Sequence, residues 1–268
     1  MAVSRQCLAV AALGLAVMGT LWAQRDRLRD FIEEEDNPAP FPADGNERTE
    51  FVFARLRYMP KRNGYFGRGG GSWATDYPKA DRQFVQGVRR LTRIHTRSVE
   101  QVIEIDNDEL FNHPWIYATE VGRWDFTERQ AARLREYMLK GGFIMTDDFH
   151  GTFEWQVFME GMRKLFPDRT VSDLQNSDEI FHVLYDLDDR MQVPGIQMFF
   201  TNQIWENDGF EARWRAIHDD RGRIMMGICH NMDIGDAWEW ADHPMYPEKY
   251  ASMAYRIGVN YIIYAMTH

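Results

Sequence analysis

Residues 141–151 read Gly141-Gly142-Phe143-Ile144-Met145-Thr146-Asp147-Asp148-Phe149-His150-Gly151, and this stretch decides the fold. A short apolar run between a glycine pair and a polar turn is the signature of a buried strand. The segment before it, Thr127 to Lys140, is helical in pattern, with Thr127 placed as N-cap and Gly141-Gly142 as the stop. The segment after it, Phe153 to Phe166, has a second helical pattern, with Pro167 just beyond its end. Helix, buried strand, polar turn and helix together are the repeating unit of an α/β protein.

The same grammar extends in both directions. Upstream, Phe51 to Leu56 and Trp115-Ile116-Tyr117-Ala118 read as strands, and Asp81 to His95 carries a helical stripe at Phe84, Val88, Leu91 and Ile94. Downstream, Ile180 to Leu184 and Val193 to Phe200 are shorter apolar segments. Arg213 to His218 and Arg223 to Ile228 read as a hairpin turned by Asp219-Asp220-Arg221-Gly222. Pro247 to Met266 closes the chain with aromatic and aliphatic residues at helical spacing. The alternation predicts an α/β fold, a wound, mostly parallel sheet with helices on both faces.

The 268 residues are 44% hydrophobic, enough for a buried core, which excludes a disordered chain. The net charge of -10 repels phosphate backbones and argues against nucleic acid as a partner. Arg5 precedes an apolar run from Cys7 to Trp22 that ends at Ala23-Gln24, a signal-peptide pattern. Against it stand Leu21 at the minus-three position and Arg25, Arg27 and Arg29 directly after. The expectation is a periplasmic or secreted protein. The alternative is an inner-membrane anchor formed by residues 1–23, the chain's one expected membrane contact. Residues 24–48, with Glu33-Glu34-Glu35-Asp36 and three prolines, read as an acidic tether, and residues 49–268 as the folded domain. Cys7 and Cys229 are the two cysteines, so a mature chain without residue 7 forms no internal disulfide.

In a parallel sheet, ligands sit outside the carboxyl ends of the strands. That rule selects Trp73, Asp76, Glu120, Asp147, Asp148, His150, His230 and Asp233 as ligand-binding candidates. Asp147, Asp148, His150 and His230 are the candidates for acid–base chemistry. The bland reading of the Asp147-Asp148 pair is that one of them caps the helix starting near Thr152. His230, Asp233 and Asp236 are the candidate ligands for a divalent metal, although their spacing matches neither a zinc motif nor an EF-hand. No other cofactor is indicated. Trp238 and Trp240 are candidates for stacking on a sugar ring or for the core. Cys229 and His230, adjacent in an extended strand, point to opposite faces, and Cys229 is expected to pack beside Met226. The loop Gly67 to Ser72 lacks the Lys-Ser/Thr ending of a phosphate loop.

The runs Phe53-Ala54-Arg55-Leu56, Trp73 to Pro78, Trp115 to Ala118, Asp147 to Gly151 and Cys229 to Asp233 resemble the bacterial domain of unknown function 4159 (DUF4159) from about residue 49 onward. The resemblance implies a class I glutamine amidotransferase-like fold, similar to flavodoxin, and no established activity. Active amidotransferases carry a Cys nucleophile at the turn where this chain has Asp147-Asp148, and Cys229 lies too late to replace it. Glutaminase activity is therefore not implied. Relatives of that superfamily similar to the trehalose-utilisation proteins also lack the triad and are linked to carbohydrate use. The expected function is binding of a small polar ligand, carbohydrate among the options, or of a periplasmic or membrane partner protein. The rival expectation is a hydrolase pairing Asp147 or Asp148 with His150 or His230, with or without a metal.

Overall fold

A computed structural model describes residues 42–61 and 72–268. The expected leader, most of the tether and the glycine-rich loop lie outside the described residues. All described residues fall within one unit, Phe41–His268.

Its strands are β1 (Ala54–Arg57), β2 (Met59–Pro60), β3 (Gln101–Glu104), β4 (Trp115–Ala118), β5 (Trp124–Asp125), β6 (Phe143–Thr146), β7 (Ser172–Asp173), β8 (Arg213–His218) and β9 (Ile224–His230). Its helices are α1 (Lys79–Leu91), α2 (Glu128–Leu139), α3 (Gly151–Leu165), α4 (Met198–Thr201), α5 (Ile234–Glu239) and α6 (Glu248–Thr267). Seven strands form one sheet in the order β3-β1-β4-β6-β9-β8-β7, while β2 and β5 pair as a separate ribbon. From β3 to β9 the pairing is parallel, and β8 and β7 add an antiparallel margin. Ranked along the chain, the five parallel strands run 2-1-3-4-5, the flavodoxin-like winding. The order reverses between β1 and β4, so a crevice opens at their carboxyl ends.

Alternation along the strands builds two different cores. Ile116, Ala118, Ile144 and Ile228 face the layer of α2 and α3, where Leu134, Met138, Phe158 and Met162 cover them. The opposite face is aromatic. Phe53 meets Trp115 at 5.1 Å, Phe84 of α1 meets Trp238 of α5 at 4.3 Å, and Phe143 meets Tyr261 of α6 at 5.8 Å. All four residues of β4 and of β6 are buried, as strands covered on both faces must be. Among the described residues no helix is long and apolar enough to cross a membrane.

A charged pair enters the aromatic core. Arg55 of β1 is fully buried and grips Asp81 of α1, with Nε donating to Oδ1 and Oδ2 at 3.1 and 2.8 Å. Its Nη1 donates to the carbonyls of Trp73 and Thr75 at 3.0 and 2.9 Å, so it also holds the segment that ends at Asp76.

Where the structure departs from the expected elements, local chemistry explains it. The Asp81–His95 helix starts earlier and stops at Leu91, because Thr92 turns extended and its hydroxyl donates back to the Val88 carbonyl. Strand β3 carries no apolar alternation beyond Val102 and Ile103, as suits an edge.

Candidate functional site

The turn after β6 sends its two carboxylates to different places. Asp147 continues the sheet, its N–H donating to the Ala118 carbonyl at 3.1 Å, and its side chain is fully buried. Oδ2 accepts from Tyr117 Oη (3.0 Å), Ile234 N (2.7 Å) and Gly235 N (2.9 Å). It therefore satisfies the open amides of α5 and not those of the helix that follows it. This corrects the capping expectation. Helix α3 is capped by others: Glu154 accepts from His150 N, Asn231 from Gly151 N and Asp208 from Thr152 N, at 2.6, 2.8 and 2.7 Å. Burial, then the neighbouring Asp148 charge, pushes the Asp147 carboxyl up to about 8 against the pull of its three donors. Its Oδ1 has no hydrogen-bond partner among the described residues.

Asp148 turns the other way through a left-handed backbone (φ 53°), a conformation that Asp tolerates better than most residues. Oδ2 accepts from the Thr119 hydroxyl at 3.4 Å, and Oδ1 lies 3.3 Å from Nε2 of His150. Glu206 Oε1, from the loop after α4, lies 3.7 Å from the same nitrogen. These three side chains bring one ligand atom each to within 4.8 Å of one another. Glu120, also left-handed at φ 51°, stands beside them and pairs with Arg123 at 2.7 Å. Arg123 also faces Glu154 at 4.0 Å. Burial and then Asp148 raise Glu120 to about 9, and burial is also the first cause that lifts Glu206 to about 7 and Glu154 above its ordinary value. Burial opposes charge on His150, yet its bond to Asp148 and the field of Glu206, Asp148 and Glu154 outweigh it and raise the imidazole to about 9.

A second group forms where α5 begins. Asp76, Asp233 and Asp236 also present ligand atoms within 4.8 Å of one another. Asp233 caps α5 by accepting from Asp236 N at 2.9 Å, and Asp236 accepts from Ile196 N at 2.5 Å. The chain approaches so closely at Gly195 that a Cβ there would run into both carboxylates. Burial first holds all three carboxyls above their ordinary range, followed by like charge at Asp76 and Asp233, while hydrogen bonds from Ile196 N and with Asp233 pull against it at Asp236. Four successive parallel strands thus deliver carboxylates to one edge of the sheet.

The family model for a domain of unknown function (DUF4159) matches residues 52–266. The chain belongs to this family. No curated protein matches it. The matched span contains both groups of three.

Within the DUF4159 domain, the remaining expected site residues sit elsewhere. His230 joins neither group, so the set His230, Asp233 and Asp236 is not assembled; Asp76 takes the place of the imidazole. The ring of His230 lies against Phe149 and Trp155, each at 4.8 Å. Arg215 Nη1 donates to its Nδ1 and its Nε2 faces the Gly151 carbonyl, both at 3.2 Å. Burial and the nearby cations lower it to about 3, so it stays neutral as a support beneath the α3 N-terminus. Cys229 is buried, lies on the same side of β9 as Gly227 against Tyr261, and has its thiol pushed well up by burial. It therefore backs onto α6 and not onto Met226. Trp238 and Trp240 are both core residues, which removes them as a sugar platform. Trp73 serves through its carbonyl to Arg55, and its ring is 5.3 Å from the Arg57 guanidinium. Glu206 and Glu154 are the site residues that the sequence reading missed. Glu206 lies in an aperiodic loop 56 positions from His150, and the acidic first turn of α3 was the available signal for Glu154.

Proposed function

We propose that the DUF4159 domain is a ligand-binding domain of the amidotransferase-like kind, receiving a small polar molecule at the carboxyl edge through positive charge. One observation carries this reading: Asp148, Glu154 and Glu206 converge on a single imidazole, Glu120 stands beside Asp148, and the Arg123 guanidinium faces Glu120 and Glu154. Buried like charges are costly unless a partner neutralises them. The winding supports the same place, because the strand order reverses between β1 and β4. Asp147-Asp148 occupies the turn where an amidotransferase nucleophile would stand, so the reading does not include glutamine hydrolysis. Amines, amino sugars and polyols held through a bound cation fit this edge; phosphates and other anions do not. We also propose that the domain works outside the cytoplasm, on the strength of the N-terminal apolar run.

The test is a thermal-shift and calorimetric screen of the full chain with amino sugars, polyamines, neutral sugars and sugar phosphates. Cationic ligands should raise Tm and lose most of that effect in Asp148→Asn. Preferential binding of the anionic compounds would overturn the reading. The second reading, a hydrolase, is favoured by the 3.3 Å approach of His150 to Asp148, a carboxylate–imidazole pair able to move a proton. It predicts turnover that His150→Gln abolishes while the variant keeps its fold.

A further inference from the structure

We propose that Asp148, His150 and Glu206 form a divalent-metal site with a mixed nitrogen and oxygen donor set. This rests on the binding reading above and names the positive charge that the edge receives. The separations leave room for an ion among the three side chains. Nε2 of His150 lies 3.3 Å from Asp148 Oδ1 and 3.7 Å from Glu206 Oε1. A charge-assisted hydrogen bond closes to roughly 2.7–2.9 Å, so these contacts are long for direct bonds. Donors about 2.1 Å from one tetrahedral ion stand roughly 3.4 Å apart, a value that the two separations from His150 bracket, while all three ligand atoms lie within 4.8 Å of one another.

A second observation is independent of the acidic cluster. His150 is 4% exposed, and its Nδ1 has no hydrogen-bond partner among the described residues. That Nδ1 lies on the far side of the ring; the ligand nitrogen is Nε2, which this deeply buried ring turns toward two carboxylates at 3.3 and 3.7 Å. The frame around it is built to hold position. Asn207 Nδ2 donates to the His150 carbonyl at 3.3 Å, and Asp208 accepts from Thr152 N at 2.7 Å. The loop that carries Glu206 is therefore pinned to the same helix start as His150. Coordination needs no new path for Glu206 and little reordering.

The donor set also ranks the metals. One imidazole with two carboxylates suits zinc, manganese or ferrous iron, whereas calcium and magnesium prefer oxygen alone. Three protein ligands leave a coordination position for water or for an oxygen of the bound molecule. The Asp76, Asp233 and Asp236 group differs, because backbone amides already engage Asp233 and Asp236.

The experiment strips the full chain with a chelator, verifies its fold by circular dichroism, and titrates Zn²⁺ and Mn²⁺ by calorimetry. One equivalent should bind. His150→Gln and Glu206→Gln should each weaken it by more than about tenfold, since even outer partners of a metal site cost 10–100-fold. Glu136→Gln on the exposed face of α2 should change nothing. If a variant fails to fold, the Co²⁺ absorption spectrum of the unaltered chain replaces it, and must show a nitrogen-containing low-symmetry site. A folded chain that binds neither ion, or a Glu206→Gln variant that binds as tightly, overturns the site. Ligands of the screen that stabilise stripped protein would in that case leave the binding reading standing. A bound metal with no response to any screened ligand would do the reverse.

Discussion

Two of the buried charge systems in this domain are built on opposite terms. Arg55 and Asp81 form a closed pair: opposite charges, two bonds from Nε, and the other arm spent on two backbone carbonyls. The group of Glu120, Asp148, His150, Glu154 and Glu206 is open, with four carboxylates against one imidazole and the Arg123 guanidinium. The first is what a fold needs when a charge must cross its core. The second gathers more carboxyl groups than the fold holds ionised, and such a crowd of shifted groups marks a place for a ligand.

Breaking the closed pair gives the largest effect. Arg55→Ala should cost about 3–5 kcal/mol, because it strands a buried carboxylate and releases the Trp73 and Thr75 carbonyls. Denaturant unfolding at neutral pH measures this. A loss below about 1 kcal/mol would show that the pair is not structural.

The open group and the neighbouring Asp147 should instead reveal themselves through pH. Asp147 at about 8, Glu120 at about 9 and Glu206 at about 7 all lie above the unfolded carboxylate value near 4. Between those limits the folded chain binds more protons than the unfolded one, so stability falls as pH rises from about 4 to about 9. His150 acts in the same direction: its stabilisation is complete below about 6.5 and is lost as pH passes about 9. Melting of chelator-stripped protein across this range should show a falling Tm, and saturating Zn²⁺ should flatten the fall. A Tm that climbs from pH 5 to pH 8 would contradict the charge balance described.

Smaller effects separate the two adjacent aspartates. Asp147→Ala should cost about 1–3 kcal/mol, since it leaves Ile234 N, Gly235 N and the Tyr117 hydroxyl without their acceptor. Asp148→Asn should change the stability of the stripped protein by less than about 1 kcal/mol, because relief of repulsion at Glu120 and Asp147 offsets the lost bond to His150. Equal losses in both variants would mean that both residues are structural caps.

The contrast also explains which parts of the molecule were legible in the chain. Strands β4 and β6 are buried on both faces, so their apolar runs stood out. Thr127 marked the start of α2 as plainly, and the structure completes its cap as a box with Gln130. Strands β3 and β7 lie at the margins, where partial exposure permits polar residues and erases the period. At the site, Asp76, Glu120, Asp147, Asp148 and His150 could be picked because they follow strands. The grouping could not. His230 and Asp233 are three positions apart, but Asn231 between them is left-handed (φ 65°) and turns the chain. His230 consequently stays under α3 while Asp233 passes to α5. Glu206 reaches His150 only because Asn207 and Asp208 tie its loop to α3, a contact that no local pattern records.

The most direct test is anomalous diffraction from crystals of the full chain soaked in Zn²⁺ and recorded at the zinc absorption edge. The account predicts a peak roughly 2.0–2.2 Å from His150 Nε2 and from a carboxylate oxygen of both Asp148 and Glu206. Zinc bound elsewhere, with this corner carrying no anomalous density and His150 paired directly to Asp148, would contradict it.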